Sequence, residues 1–457
     1  MKGSLLGVGI PAALAVLAIA WPRPDRGQPR RPDVVLVTVD TLRADSLGCY
    51  GRFAAGTPNF DRVARDGVLF ENAVAPMPIT RASHFSIMTS LFPRQHGVLN
   101  NSMSLPEDVL TLPEVFRAAG YYTVGSVSVR LLGRDSGAAQ GFDIFDAPAD
   151  VARWPGSEAL ARLAIRLRSR PAGQPAFVWL HMFEPHVPYV SHETSGEEPS
   201  EISWPLLLDI AAHNGGAIPT EVFDRARHLY QGEVSETDRV LGSVLELIDK
   251  EKRPTLLAVA ADHGECFENG VFFEHADCLY EGAIRVPLLL RYPDRLKPDR
   301  RRGQVELRHL GSTLLSLAKL EMPESFERAS VLTEDESPAF FESPLYTKGT
   351  ADALGARYAQ IRQVAGQALR PFHPENRQLG VRWQSWKYVA TTDREELFDL
   401  SKDPREQTNL AHTRRDMADQ LERLESVWAA RYPLRPRDVT VVSPELQETL
   451  RSLGYAH

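Results

Sequence analysis

The chain has 457 residues, 43% of them hydrophobic, with a formal net charge of -8 at pH 7. It is long enough for a substantial core and more than one domain, in an ordinary globular composition. The acidic balance without a sustained Lys/Arg run argues against nucleic acid as a partner, and three cysteines, Cys49, Cys266 and Cys278, make neither a disulfide framework nor a zinc motif.

In chain order, Lys2 and an apolar run over 5–20 come first, followed by the Pro/Arg-rich "PRPDRGQPRRP". Residues 1–30 read as an export leader, either a signal peptide cleaved after the small residues Ala18-Ile19-Ala20 or a retained membrane anchor. The chain is therefore expected to be exported, to a periplasmic or extracellular location, with membrane attachment through the N-terminus as the alternative.

Next, "VVLVTV" (34–39), "YTVGSV" (122–127), "AFVWLHM" (176–182), "TLLAVAA" (255–261) and "VPLLLRY" (286–292) read as buried strands. Helical spacing lies between them over 57–67, 111–120 and 235–252, with Gly67 and Gly120 placed to stop the first two. That alternation predicts an α/β fold with a parallel-rich sheet flanked by helices, over 31–330. The basic patch "PDRLKPDRRRG" (293–303) reads as a solvated loop, and 191–224 as a long insert that either shapes a substrate pocket or stays a surface loop. After the helix-like 307–320 the texture changes, and 331–457 is expected to form a smaller α+β subdomain: a small antiparallel sheet and a helix near 412–430, packed in part by Trp383, Trp386 and Tyr388.

Three predicted strands end in polar residues: Asp40, then Glu184 and His186, then Asp262 and His263. In open parallel sheets the ligand crevice lies beyond the carboxyl ends of the strands, so these side chains are placed to meet. Any strand end must also become polar where it reaches a loop, which is the plainer explanation for each residue alone. Thr80 sits where a proline-bracketed loop turns into a helix, in "PMPITRASHF". It or Ser83 either caps that helix or serves as a nucleophile at its positive end. Two carboxylates, an imidazole and a hydroxyl suit a divalent ion such as Zn, Mn or Ca, and a metal on Thr80 would acidify its hydroxyl.

"VVLVTVDTLRADSLGCYG" (34–51), "ASHFSIMTSLFPRQHGV" (82–98), "ADHGE" (261–265), "LYEGAIRVPLLLRYP" (279–293) and "ELFDLSKDPREQTNLA" (396–411) resemble successive blocks of the sulfatase family, in the alkaline phosphatase superfamily. The resemblance runs from about residue 33 to the terminal "LRSLGYAH". It implies an alkaline-phosphatase-like sheet and a hydrolase of sulfuric or phosphoric esters. It makes Asp40, Thr80, Asp262 and His263 metal ligands, with Thr80 the nucleophile. His84 stands where formylglycine sulfatases carry the arginine of their Cys-x-Pro-Ser-Arg signature, and no cysteine or serine occupies position 80, so no formylglycine is expected.

Other departures point toward the threonine-using phosphotransferase and phosphodiesterase branches: Thr41 replaces a second aspartate, and 120–133 lacks a Lys-x-His. His186 and His275 are expected to bind substrate oxygens or protonate the leaving group. Alternatively they join Glu184 around a second metal. Arg81, next to the nucleophile, is a candidate contact for the substrate anion, and His96 reads as structural. The expected substrate is an anionic ester of a glycan, lipid or small molecule. Two rivals remain: a phosphotransferase, of phosphoethanolamine or glycerophosphate type, acting on envelope glycans or lipids, and a catalytically silent binding protein.

Overall fold

The computed structural model describes residues 31–52, 55–191, 201–293, 295–333, 337–346, 348–370, 377–436, 446–447 and 449–450, with backbone only at 348–350 and 353. The leader at 1–30, part of the 191–224 insert (192–200) and the terminal "LRSLGYAH" except Leu450 lie outside the described residues. Among the described residues no helix is long and apolar enough to cross a membrane.

Eight strands make the central sheet, in the order Asp299–Glu306, Val68–Val74, Arg285–Arg291, Thr255–Ala261, Asp33–Val39, Ala176–Met182, Tyr122–Val127, Ile144–Asp146. Asp33–Val39 lies at its centre and pairs in parallel with both Thr255–Ala261 and Ala176–Met182. Every residue of these three strands is buried, as expected of strands covered on both faces. The strand read from "VPLLLRY" is present as Arg285–Arg291, but it pairs antiparallel with both neighbours.

Two expectations change. The basic patch is not wholly loop: from Asp299 it forms an edge strand, parallel to Val68–Val74. Its exposed arginines hid the strand from a hydrophobicity reading, and charged side chains are how exposed sheet edges discourage further pairing. The described part of the insert, from residue 201, is not a plain surface loop either. It contains the helix Trp204–His213 and the start of the helix Thr220–Glu251, which extends well before the expected residue 235 by burying Phe223, Ala226, Tyr230 and Val234 along one face.

The C-terminal sheet has the antiparallel order Ala339–Glu342, Leu379–Trp383, Trp386–Ala390, Glu395–Asp399, with the helix Arg415–Arg431 packed on it. Tyr388 is in its core, with Trp383 and Trp386 packed against that core. From Pro32 onward the chain forms one compact unit, so this sheet is an annex to the main one. Ala339, Phe341 and Val389 join Val74, Leu279 and Ile284 in a shared cluster.

Candidate active site

The register of the three central strands assembles the site. Thr38 pairs with Ala260 on one side and His181 on the other. Side chains alternate along a strand, so Thr38, Asp40, His181 and Asp262 share one face at the carboxyl ends. The pairing continues one residue past the strands: Asp40 N–H donates to Met182 O (2.9 Å) and Asp262 N–H to Val39 O (3.3 Å).

The helix Thr80–Thr89 drops onto that face and is buried at every residue. Thr80 is its first residue and does not cap it; no side chain does. The Thr80 hydroxyl instead donates to Asp40 Oδ2 (3.1 Å), and the Ser83 hydroxyl to the Asp262 carbonyl (2.6 Å). His84 is fixed from both ends. Trp179 Nε1–H donates to Thr38 Oγ1 (2.9 Å), which leaves the Thr38 hydroxyl proton for His84 Nε2 (3.0 Å). Nδ1–H of His84 then donates to Thr80 O (2.8 Å) and lies 3.3 Å from Asp262 Oδ2. His84 therefore ties the Thr80 backbone to Thr38 and stands beside the Asp262 carboxylate.

Asp40, Asp262 and His263 converge, and three of their atoms are buried without a hydrogen-bond partner: Asp40 Oδ1, Asp262 Oδ2 and His263 Nε2. His263 Nδ1–H donates to Gly264 O (3.0 Å), which leaves the Nε2 lone pair facing Asp40 Oδ1 at 3.6 Å and Asp262 Oδ2 at 3.4 Å. Bonds of about 2.1 Å at tetrahedral angles separate ligand atoms by about 3.4 Å, so this donor set fits a divalent ion. The electrostatics agree. Burial, reinforced by Asp262, holds the Asp40 carboxyl well above the usual range. Burial also acts on Asp262, but His263 and His84 outweigh it and hold that carboxyl low. Burial pushes His263 down to about 4, keeping the imidazole neutral.

His275 stacks on His263 with centroids 4.5 Å apart, and His186 meets His275 edge-on at 5.3 Å. Glu184 does not join them. Its Oε1 accepts Gly156 N–H (2.7 Å), and among the described residues the one ligand cluster is Asp40, Asp262 and His263. The expected second-metal trio of Glu184, His186 and His275 is thus not assembled, because Glu184 is turned to the start of the helix Gly156–Leu167. The carboxylate beside His275 is Glu265, with Oε1 3.3 Å from Nδ1, while Tyr189 OH donates to Glu265 Oε2 (3.0 Å). Burial alone would lower His275, but Glu265 raises it. Burial, with His275 adding to it, holds His186 well below its ordinary value.

Arg81, the candidate contact for the substrate anion, follows Thr80 in the helix. It is fully buried, with Nε donating to Leu131 O (2.7 Å) and Nη1 to Met103 O (3.1 Å), and Nη2 alone is left unpaired. Its main function in the structure is to fix two loops. Asn101 accepts the Arg81 backbone N–H (3.0 Å), and its own Nδ2 is buried and unpaired. His96 is structural, accepting Val98 N–H at Nδ1 (3.2 Å) and facing Ala82 O through Nε2 (3.2 Å).

Sequence reasoning missed Glu265, His181 and Asn101. Glu265 was visible in "ADHGE". His181 is fully buried with both ring nitrogens unpaired, its Nε2 3.6 Å from Asp40 Oδ2, but it lies inside a strand rather than past its end. Thr41 Oγ1 is buried and unpaired too, on a backbone with φ 51, a conformation rare for a β-branched residue. Among the described residues the site is closed: Asp40, Thr80, His84, Asp262 and His263 are 0% exposed, while His186 (1%), His275 (3%) and Asn101 (6%) reach its edge. Next to them is a cavity of about 40 Å³, lined in part by Ile79, Asn101, Glu274, Ala276, Tyr346 and Leu354.

The family model described as Sulfatase matches residues 32–320. The chain is 23% identical to an arylsulfatase of Clostridium perfringens, over 84% of this chain and 91% of the relative. A solved structure in complex with its substrate D-glucosamine-2-N,6-O-disulfate superposes with a TM-score of 0.67 at 18% identity, covering 88% of this chain and 98% of that one. The phosphonate monoester hydrolase of Agrobacterium radiobacter superposes with a TM-score of 0.66 at 19% identity, over 88% and 95%. At these identities the structural likeness is one of fold.

Proposed function

The chain belongs to the sulfatase family, and from that premise we propose that it is a metal-dependent hydrolase of sulfate or phosphate esters in which Thr80 is the covalent nucleophile. The observation that carries this reading is the 3.1 Å hydrogen bond from Thr80 Oγ1 to Asp40 Oδ2, inside a buried cluster of three unpaired ligand atoms. Asp40, Asp262, His263 and the Thr80 hydroxyl would hold the ion, for which Zn, Mn and Ca are the candidates. When bound, the ion supplies positive charge that acidifies the nearby hydroxyl and offsets charge on the substrate.

The residues of the chain do the rest. Thr80 passes its proton toward Asp40 Oδ2, and its oxygen attacks sulfur or phosphorus as the bond to the leaving alcohol breaks. His275, held toward its protonated form by Glu265, supplies the proton that the leaving oxygen needs. A water molecule then cleaves the threonine ester: neutral His186, on the same edge of the site, accepts the water's proton, and Thr80 Oγ1 leaves with its own proton returned from Asp40 Oδ2. In the first turn of the Thr80–Thr89 helix the Arg81 N–H is taken by Asn101 Oδ1 and the Ser83 N–H by Ile79 O, so what the turn offers the substrate anion is the positive end of the helix, and Arg81 Nη2 and Asn101 Nδ2 are the unpaired side-chain donors nearest the nucleophile in sequence. The phosphonate monoester hydrolase likeness supports keeping phosphorus beside sulfur as the centre attacked.

Export belongs to the same reading. It is supported by the apolar leader over 5–20 and by the Cys266–Cys278 disulfide, which suits an oxidising compartment.

The test compares the parent protein with Thr80→Ala on 4-nitrophenyl sulfate, 4-nitrophenyl phosphate, bis(4-nitrophenyl) phosphate and a phosphonate monoester, with Zn, Mn or Ca added. Loss of the nucleophile should lower kcat by on the order of 10³-fold or more with metal content retained. Equal turnover of the two proteins rejects the covalent mechanism.

A further inference from the structure

Glu274 spans two parts of the molecule. Its Oε1 accepts the backbone N–H groups of His275 (3.0 Å) and Ala276 (3.2 Å), while its Oε2 accepts Arg357 Nη2–H (2.8 Å). Arg357 belongs to the helix Lys348–Gln360, beyond the 32–320 segment that the family model matches. Its guanidinium also lies over the indole of Trp204, 3.9 Å from the ring centroid, where the helix Trp204–His213 begins. The pair is shut away from water, with Arg357 2% and Glu274 6% exposed.

We propose that Arg357 is a positioning residue for the reaction, setting His275 through the Glu274 carboxylate. The inference rests on the role assigned to His275 above. His275 is held at two points: Glu265 fixes the ring, and Glu274 fixes the backbone that carries it. Both oxygens of Glu274 are engaged, so its orientation depends on Arg357. Removing one member of a buried charge pair leaves the other uncompensated, and the survivor moves toward whatever can solvate it. Without Arg357, Glu274 therefore releases the His275 amide and the imidazole loses its register on His263. The planar guanidinium suits the place, because it pairs with a carboxylate while its face lies on an aromatic ring.

The experiment is a double-mutant cycle on the full chain, with 4-nitrophenyl sulfate, 4-nitrophenyl phosphate and bis(4-nitrophenyl) phosphate as probes. Arg357→Gln is expected to lower kcat by about tenfold or more with KM within about twofold and metal content unchanged, a loss within the range of a misplaced general acid. Arg357→Lys, which keeps the charge, is expected to recover part of it. In the His275→Ala background, Arg357→Gln should cost little more, since both changes remove one function; a merely structural role would give additive losses. If Arg357→Gln does not fold, Arg357→Lys takes its place in the cycle.

Full activity of the Arg357 variants beside an impaired His275→Ala overturns the proposal alone, as do additive losses. Undiminished turnover by His275→Ala, or no turnover of any probe by the parent, overturns the reading of the site and this inference with it.

Discussion

The hydroxyl of Ser83 donates to the backbone carbonyl of Asp262 at 2.6 Å, one turn into the helix that Thr80 begins. That bond ties the Thr80 helix to the end of the strand that delivers Asp262 and His263, two of the proposed metal ligands. Ser83→Ala leaves a buried carbonyl without its partner, and should destabilise the fold by about 1–3 kcal/mol in denaturant titrations. It should also lower kcat, because Thr80 and Asp262 lose their common anchor. A variant with parental kcat and parental stability would show that the helix is held elsewhere.

Metal binding should depend on pH in a defined direction. Asp40 has its carboxyl raised by burial and by Asp262, so without an ion it keeps its proton into a range where a free carboxylate has lost it. An ion must displace that proton, so affinity rises as pH rises through the titration of Asp40. Calorimetry in two buffers of different ionisation enthalpy should detect the released proton. Chelation should lower the melting temperature, and Asp262→Asn should weaken metal retention by a factor on the order of 10².

Cys266 and Cys278 are bonded, with Cα atoms 6.5 Å apart, and the loop they close carries Glu274 and His275. A closed loop of this size stabilises a fold by roughly 3 kcal/mol in the chain-entropy account. Reduction, or the pair Cys266→Ser and Cys278→Ser, should lower the melting temperature. Activity should fall further than that of a control destabilised equally at a distance from the site. Equal losses in both proteins would mean that the bond does not hold His275.

Glu425, buried on the helix Arg415–Arg431, has its carboxyl pushed up to about 7 by burial, with Arg94 opposing. The unfolded chain releases this proton near pH 4.3 whereas the folded one keeps it to about 7. Its contribution is therefore full at low pH and is lost as pH rises between those values, by at most about 4 kcal/mol. Glu425→Gln should flatten that decline and raise stability at pH 8, as measured by urea unfolding at several pH values.

Much of the site could be read from the sequence because its residues stand at the ends of apolar runs. Asp40 and Asp262 follow "VVLVTV" and "TLLAVAA", and a buried parallel strand has few other places for a carboxylate. Thr80 was legible as a hydroxyl at a loop-to-helix junction. Periodicity did not reveal the edge strand Asp299–Glu306, whose arginines mask a ladder made by the backbone alone. The Thr220–Glu251 helix was only half read, since the polar residues of its first half obscured the buried stripe.

What the sequence determined by itself is the inventory: which strands are buried, which polar residues terminate them, and that position 80 carries a threonine. The tertiary structure decided the partnerships. Strand register brought Asp40 and Asp262 together, because neighbouring strands place residues of equal phase on one face. The same packing separated Glu184 from His186, only two residues apart, by turning one to a helix N-terminus and the other to the site. It also supplied Glu265 and Arg357 as the holders of His275, one ten residues away and the other more than eighty. Sequence distance carries no information about such pairs, since a carboxylate removed from water takes the partner that packing brings within reach of its charge.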